Sequence, residues 1–176
     1  VDEHYYESTG WFLHNIDYYD NYDRKAPKVY LGEYASHTRT MESALAEAIY
    51  LCNLERNGDV VEMASYAPLL CNEKHKNWNP NLIYFDETNI VTTPSYETQA
   101  LFSHYSGDNY INSRINIDKK YAYRVASSVV RDDSTGKTYL KLVNALPVKV
   151  CIKVKGMNIS PNRRYMKFDG KPECKT

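Results

Sequence analysis

The chain has 176 residues, enough for one good-sized domain or two small ones sharing an interface. Hydrophobic residues make up 43% and charged residues 25%, an ordinary globular composition that excludes low-complexity and disordered classes, and no apolar run approaches the roughly 20 residues needed to span a bilayer. The formal net charge is +0 but unevenly spread: residues 1–109 hold 7 Lys or Arg against 17 Asp or Glu, and residues 110–176 hold 15 against 5.

Residues 1–6 read as the end of a strand, with no basic region followed by an apolar one, so no signal peptide is visible. A chain that opens in such a segment without an initiator Met is expected to be a piece of something longer. Residues 11–24 fit a helix, with Phe12, Ile16 and Tyr19 spaced along one face. Residues 28–34 form a strand after Pro27, and the continuous run Val29, Tyr30, Leu31 suits a parallel strand covered on both faces. The clearest helix covers 40–56, where Met41, Ala44, Leu45, Ala48, Ile49 and Cys52 recur at helical spacing. Asn57–Gly58 supplies a left-handed stop.

A third strand covers 60–67 and is closed by Pro68; an irregular stretch rich in Asn and Trp follows. Thr93 then caps a helix, with Pro94 at its first position and Gly107 just beyond its end. This alternation of strand and helix predicts β/α units with parallel strands, and three strands cannot close an eight-stranded barrel. Beyond a boundary near 106–113, residues 121–131, 138–146 and 148–155 are β-rich and predict an antiparallel sheet, part of a sandwich. Lys149, Lys153 and Lys155 alternate with apolar residues, as on the solvent face of a strand, so the basic half is not read as a nucleic-acid surface. Halves of opposite charge suggest two units packed together, residues 1–109 and 110–176. Cys52, Cys71, Cys151 and Cys174 show no zinc spacing; Cys52 on a helix and Cys151 in a strand read as buried thiols, with disulfides left open. No metal site is expected.

Glu33 is the first candidate for chemistry. It follows Gly32 at the C-terminal end of an apolar parallel strand, where barrel enzymes place catalytic groups, and Gly32 has no side chain to obstruct a substrate or a neighbouring strand. An exposed Glu that simply ends a strand is the bland alternative. His4 and Tyr6 alternate onto one face of the preceding strand, with Tyr5 opposite, and could hold such a carboxylate ionised and oriented. They could equally be core aromatics with satisfied polar tips. Asp2 and Glu3 read as structural; Arg56, Asn57 and Asp59 read as a helix cap with a surface ion pair. Trp78 either stacks on a sugar ring or anchors its loop.

Taken together, VDEHYY (1–6), YDNYDR (19–24), KVYLGEYA (28–35), ALAEAIYLCNLERNGDVVEMASYAPLL (44–70), NWNPNLIYFD (77–86) and PSYETQALFS (94–103) resemble the C-terminal portion of glycoside hydrolase family 51, the α-L-arabinofuranosidases. Residues 115–155 resemble the same family's β-sandwich more loosely. The resemblance implies the last three β/α units of a (β/α)₈ catalytic barrel followed by an incomplete β-sandwich. It implies retaining hydrolysis of terminal α-L-arabinofuranosyl groups on arabinan, arabinoxylan and related polysaccharides. Glu33 matches the family's nucleophile, His4 and Tyr6 match its supports, and Gln99 matches a Gln that hydrogen-bonds the sugar. No cofactor is implied, and the parent protein is expected outside the cytoplasm, secreted or periplasmic.

One departure matters. The family's acid/base Glu follows an Asn at the end of an earlier barrel strand. Asn72–Glu73 is the sole Asn-Glu pair here and lies in a loop. Retaining hydrolysis needs two carboxyl groups about 5 Å apart. The isolated chain is therefore expected to be inactive without the missing N-terminal part of the same protein. Its open strand edges are expected to promote self-association. The rival reading is a non-catalytic carbohydrate-binding module, suggested by the aromatic content and the β-rich second half.

Overall fold

The structure is a computed structural model that describes residues 1–157 and 159–175. Strand β1 (Asp2–Glu7) is followed by a short helix α1 (Thr9–His14), strand β2 (Val29–Ser36), helix α2 (Met41–Arg56) and strand β3 (Val61–Tyr66). The three strands form a parallel sheet in sequential order, β1-β2-β3. The expected 40–56 helix and its two flanking strands are therefore present, every bound within two residues of expectation.

The other expected helix, 11–24, is a single turn and a half. Ser8 caps it, accepting a hydrogen bond from the Trp11 amide, and it ends at Asn15. Residues 16–26 then run in turns, because Asp23 and Asn15 offer side-chain bonds that compete with the helix. Tyr19 is still buried, donating to Glu3 at 2.8 Å.

Helix α2 is capped by Thr40 and buried around most of its circumference. Its small side chains, Ala44, Ala46 and Ala48, let neighbours approach on several sides. Its C-terminus departs from expectation. Asn57 caps at φ −108, and neither Asn57 nor Gly58 is left-handed. The buried Asn57 side chain instead donates to Asp20 and Asn53 and accepts from Arg24, tying the helix end to the turns below it.

Residues 70–92, expected to be irregular, hold a small mixed sheet of three-residue strands. β4 (Leu70–Asn72) lies parallel to β5 (Ile83–Phe85), which pairs antiparallel with β6 (Ile90–Thr92). Runs this short carry no readable alternation. Helix α3 (Pro94–His104) follows, capped by Thr93 as expected, and packs on α2.

β7 (Asn109–Tyr110), β8 (Val125–Arg131) and β9 (Thr138–Asn144) then form an antiparallel sheet. Gly136, at φ +66, makes the hairpin turn between β8 and β9. A 3₁₀ turn over Lys119–Arg124 replaces the first part of the expected 121–131 strand. The expected strand at 148–155 does not form, and Cys151 is exposed rather than buried. Its alternating pattern needs a partner strand and a covering layer, whereas Val148 and Ile152 stay exposed. Nor, among the described residues, does a second sheet face β7–β9. The hairpin packs on α2, where Glu55 accepts from Ser128 at 2.5 Å and pairs with Lys141, and Val143 joins the main core.

Candidate functional site

The C-terminal ends of β1 and β2 bring the sequence candidates together. His4 and Glu33 are register partners, and Tyr6 lies one pleat further along β1. Between Leu31 and Tyr34, β2 carries one residue more than β3, and the pairing with β1 skips at the same place. That extra residue is a β-bulge at Gly32–Glu33. Leu31 and Tyr34 are both core residues, at 0% and 1% exposure. Three apart, they would fall on opposite faces of a regular strand; the bulge puts them on one and turns Gly32 and Glu33 together to the other.

Tyr6 Oη donates to Glu33 Oε2 at 2.5 Å. His4 Nδ1 lies 3.7 Å from the same oxygen, and its Nε2 lies 3.2 Å from Asp2 Oδ2. Glu33 Oε1 makes no hydrogen bond among the described residues. Burial, the hydrogen bond to Glu33 and the nearby negative charge push the Tyr6 phenol up to about 12, so it remains a donor at neutral pH. One oxygen of the Glu33 carboxylate is thus braced and the other bare.

Trp78 stands at the mouth of this site. Its ring meets that of Tyr6 edge-on with centroids 5.4 Å apart, and half of the residue is exposed. Its loop is held by Asn81, which donates to the Trp78 carbonyl at 2.7 Å, and by Tyr84, which donates to Asn79 at 2.9 Å. Arg39 stacks on Tyr84 at 3.8 Å and fixes the small sheet to the loop after β2. The ring is thus presented as a half-exposed apolar surface beside Tyr6, the residue that donates to Glu33.

Gln99 is not brought to this cluster. It accepts from the Tyr34 hydroxyl at 2.6 Å, on the covered face of β2. Asn72 and Glu73 sit at the end of β4 and the start of a 3₁₀ turn, with Glu73 paired to Arg39 and Lys76. The sequence reading missed the bulge and the place of Asp2. The bulge adds one residue and leaves no compositional trace. Asp2 was legible in principle, because residues 2, 4 and 6 of one strand share a face. Among the described residues no group of three His, Cys, Asp or Glu is placed to hold a metal.

This geometry meets its relatives at several levels. The family model for the α-L-arabinofuranosidase C-terminal domain matches residues 19–169. An extracellular exo-α-L-arabinofuranosidase of Streptomyces chartreusis is 50% identical over 114 residues, 65% of this chain and 14% of that protein. α-L-Arabinofuranosidase 1 of Arabidopsis thaliana is 35% identical over 146 residues, 80% of this chain and 21% of that protein. Among solved structures, an arabinose-bound GH51 α-L-arabinofuranosidase superposes with a TM-score of 0.76 at 33% identity, covering 82% of this chain and 25% of its own. The Thermotoga maritima α-L-arabinofuranosidase, also an arabinose complex, shares the fold at a TM-score of 0.56 and 16% identity, over 77% of this chain and 32% of its own. The chain therefore spans only a small part of each of these proteins. It belongs to the α-L-arabinofuranosidase C-terminal domain family and corresponds to a C-terminal portion of the GH51 arabinofuranosidases.

Proposed function

We propose that the protein containing this chain is a retaining glycoside hydrolase that releases terminal α-L-arabinofuranosyl groups from arabinan- and arabinoxylan-type polysaccharides, with Glu33 as its nucleophile. The observation that carries this reading is the asymmetric bracing of Glu33: Tyr6 and His4 converge on Oε2, and Oε1 is left bare. Oε1 attacks the anomeric carbon, the bond from that carbon to the leaving oxygen breaks, and a covalent arabinosyl ester forms. Tyr6 and His4 hold the other oxygen, fixing the direction of attack. The departing oxygen takes its proton from a second carboxyl, which the same group then uses to activate water against the ester. The resemblance implies that this group lies on an earlier strand of the parent protein; in this chain Glu73, of the sole Asn-Glu pair, is paired with Arg39 and Lys76. No cofactor enters either step.

In this reading residues 1–109 are the last three β/α units of a (β/α)₈ barrel and residues 110–176 the start of its β-sandwich. The outer edges of β1 and β3, unpaired among the described residues, would be covered by the barrel's other strands. The isolated chain has half of the catalytic pair, is inactive, and associates through those edges. Gln99, which the resemblance matches to a sugar-contacting Gln, accepts from Tyr34 on the covered face of β2 in this chain.

The decisive experiment compares the complete protein with its Glu33→Ala variant on an aryl α-L-arabinofuranoside. The complete protein turns the substrate over, and the variant loses activity by on the order of 10³-fold or more. Retained activity in Glu33→Ala overturns the assignment. Turnover by the pure 176-residue chain would overturn the need for a second carboxyl from outside it. Binding of arabino-oligosaccharides that survives both Glu33→Ala and removal of residues 1–105 would instead favour a carbohydrate-binding module.

A further inference from the structure

Trp78 belongs to the loop between β4 and β5, which follows β3 in the chain, yet its ring meets Tyr6 on β1 with centroids 5.4 Å apart. The sheet order is β1-β2-β3, so chain that leaves β3 and touches the end of β1 has to pass the C-terminal end of β2. Glu33 stands at that end. Tyr6 is thus both the partner of Trp78 and the donor to Glu33 Oε2.

The indole is not what holds this loop in place. The near end of the loop is tied by Glu73 to Arg39 and Lys76, and by Lys74 to Glu87. The far end is tied by Asn81, which donates to the Trp78 carbonyl at 2.7 Å and whose amide donates to Tyr84 Oη at 3.0 Å. Asn81 and Tyr84 are 3% and 2% exposed, whereas Trp78 is 51% exposed. Tryptophan is highly buried on average, and an indole that anchors a loop is covered by what it anchors. Here the edge-on contact with Tyr6 covers part of the ring, and the rest stands open beside the Tyr6–Glu33 pair.

We infer that Trp78 is a specificity-determining residue of the proposed site: its indole packs against the arabinofuranosyl group that is transferred to Glu33, and not against the leaving group. This rests on Glu33 being the nucleophile proposed above. Displacement by Glu33 puts the leaving oxygen on the opposite face of the anomeric carbon. Trp78 packs on the residue that holds Oε2, and so stands on the Glu33 side of that carbon. A furanose ring presents C–H groups as well as hydroxyls, and sites for such ligands combine aromatic walls with a few placed polar groups. Tyr6, His4 and Glu33 are the polar groups on this face of the sheet, and Trp78 is the wall.

Free arabinose carries the sugar ring and no leaving group, so its inhibition of the complete protein reads this contact alone. Trp78→Ala is expected to weaken that inhibition by about tenfold, the effect of returning one ring face of apolar contact to water. The same variant is expected to lose kcat/KM by a similar factor on an aryl α-L-arabinofuranoside and on an arabino-oligosaccharide alike. Trp78→Phe keeps a flat ring and is expected to restore most of both. An arabinose inhibition constant unchanged in Trp78→Ala overturns the inference, whatever happens to kcat. So does a loss confined to the oligosaccharide, which would put the ring on the leaving-group side. Half of the residue is already in solvent, so Trp78→Ala is expected to keep the parent's urea midpoint. A variant that no longer folds would return the ring to an anchoring role and overturn the inference as well. Failure of the proposed function looks different: a parent that turns over no α-L-arabinofuranoside, or activity retained in Glu33→Ala, removes the nucleophile. A Trp78→Ala variant that matches an active parent removes only the wall.

Discussion

The two faces of β2 each hold a carboxyl group near the strand's C-terminal end, and the protein handles them in opposite ways. On the open face, Glu33 is partly exposed and receives Tyr6 and His4 on a single oxygen. On the covered face, Glu47 reaches across from α2 to accept the Ser36 amide at 2.9 Å, and it is wholly buried with its Oε2 unpartnered. Burial pushes the Glu47 carboxyl up to about 7, against the pull of its hydrogen-bond donors. A carboxylate that must attack needs donors and access to solvent. One placed in a dry layer holds its proton and serves as a backbone anchor.

Substitutions on the two faces should therefore fail in different assays. The largest effect is on the open face, where Glu33→Ala in the complete protein removes activity by on the order of 10³-fold or more while the urea midpoint stays close to the parent's. Glu47→Gln should do the reverse. Burial raises the folded-state carboxyl to about 7 from its ordinary value of 4.5. Between those values the folded state holds a proton that the unfolded chain has released. Stability is then full below pH 4.5 and falls as pH rises through 7, by on the order of 3 kcal/mol. Gln cannot ionise, so the variant should exceed the parent at pH 8 and lose that advantage by pH 5, as read by urea unfolding at both. Equal stabilities at pH 8 would show that Glu47 is ionised at no cost.

A smaller effect is expected from Tyr34→Phe. Gln99 already has a buried Nε2 with no partner, and this variant strips its Oε1 as well. The expected loss is about 1–3 kcal/mol of stability, with kcat within a few-fold of the parent. A collapse of kcat would mean that the covered face controls the open one.

The open-face trio was legible in the sequence because pleat and register are simple: residues alternate, parallel neighbours align, and an apolar run ending in Gly-Glu marks a strand mouth. Helix α2 was legible because sixteen residues of helical period leave little choice. What failed depended on tertiary partners. The 11–24 segment has helical spacing, but Asp23 and Asn15 bond their own backbone surroundings and turn the chain after His14. The 148–155 segment has strand spacing and no strand beside it. The bulge could not be seen at all, and without it Gly32 reads as clearing a path for substrate. With it, Gly32 is seen to accommodate Asp2.

The smallest expected effect belongs to a third kind of carboxylate, neither on the open face of β2 nor buried. Glu87 pairs with Lys74 at 2.7 Å across the small sheet, and both side chains are more than half exposed. The ammonium holds the Glu87 carboxyl below its usual range, so whatever the pair contributes is present above the unfolded value and lost as pH falls through the folded one. Water screens the attraction and two long side chains must be ordered to make it. Lys74→Ala should therefore leave the urea midpoint within measurement error of the parent, and 1 M salt should erase any remaining difference. The Glu47 difference should persist in that salt, because no ions reach the layer between α2 and β2. A salt-sensitive Glu47 would mean that ions reach this buried carboxyl, and the distinction between the two faces of β2 would be lost with it.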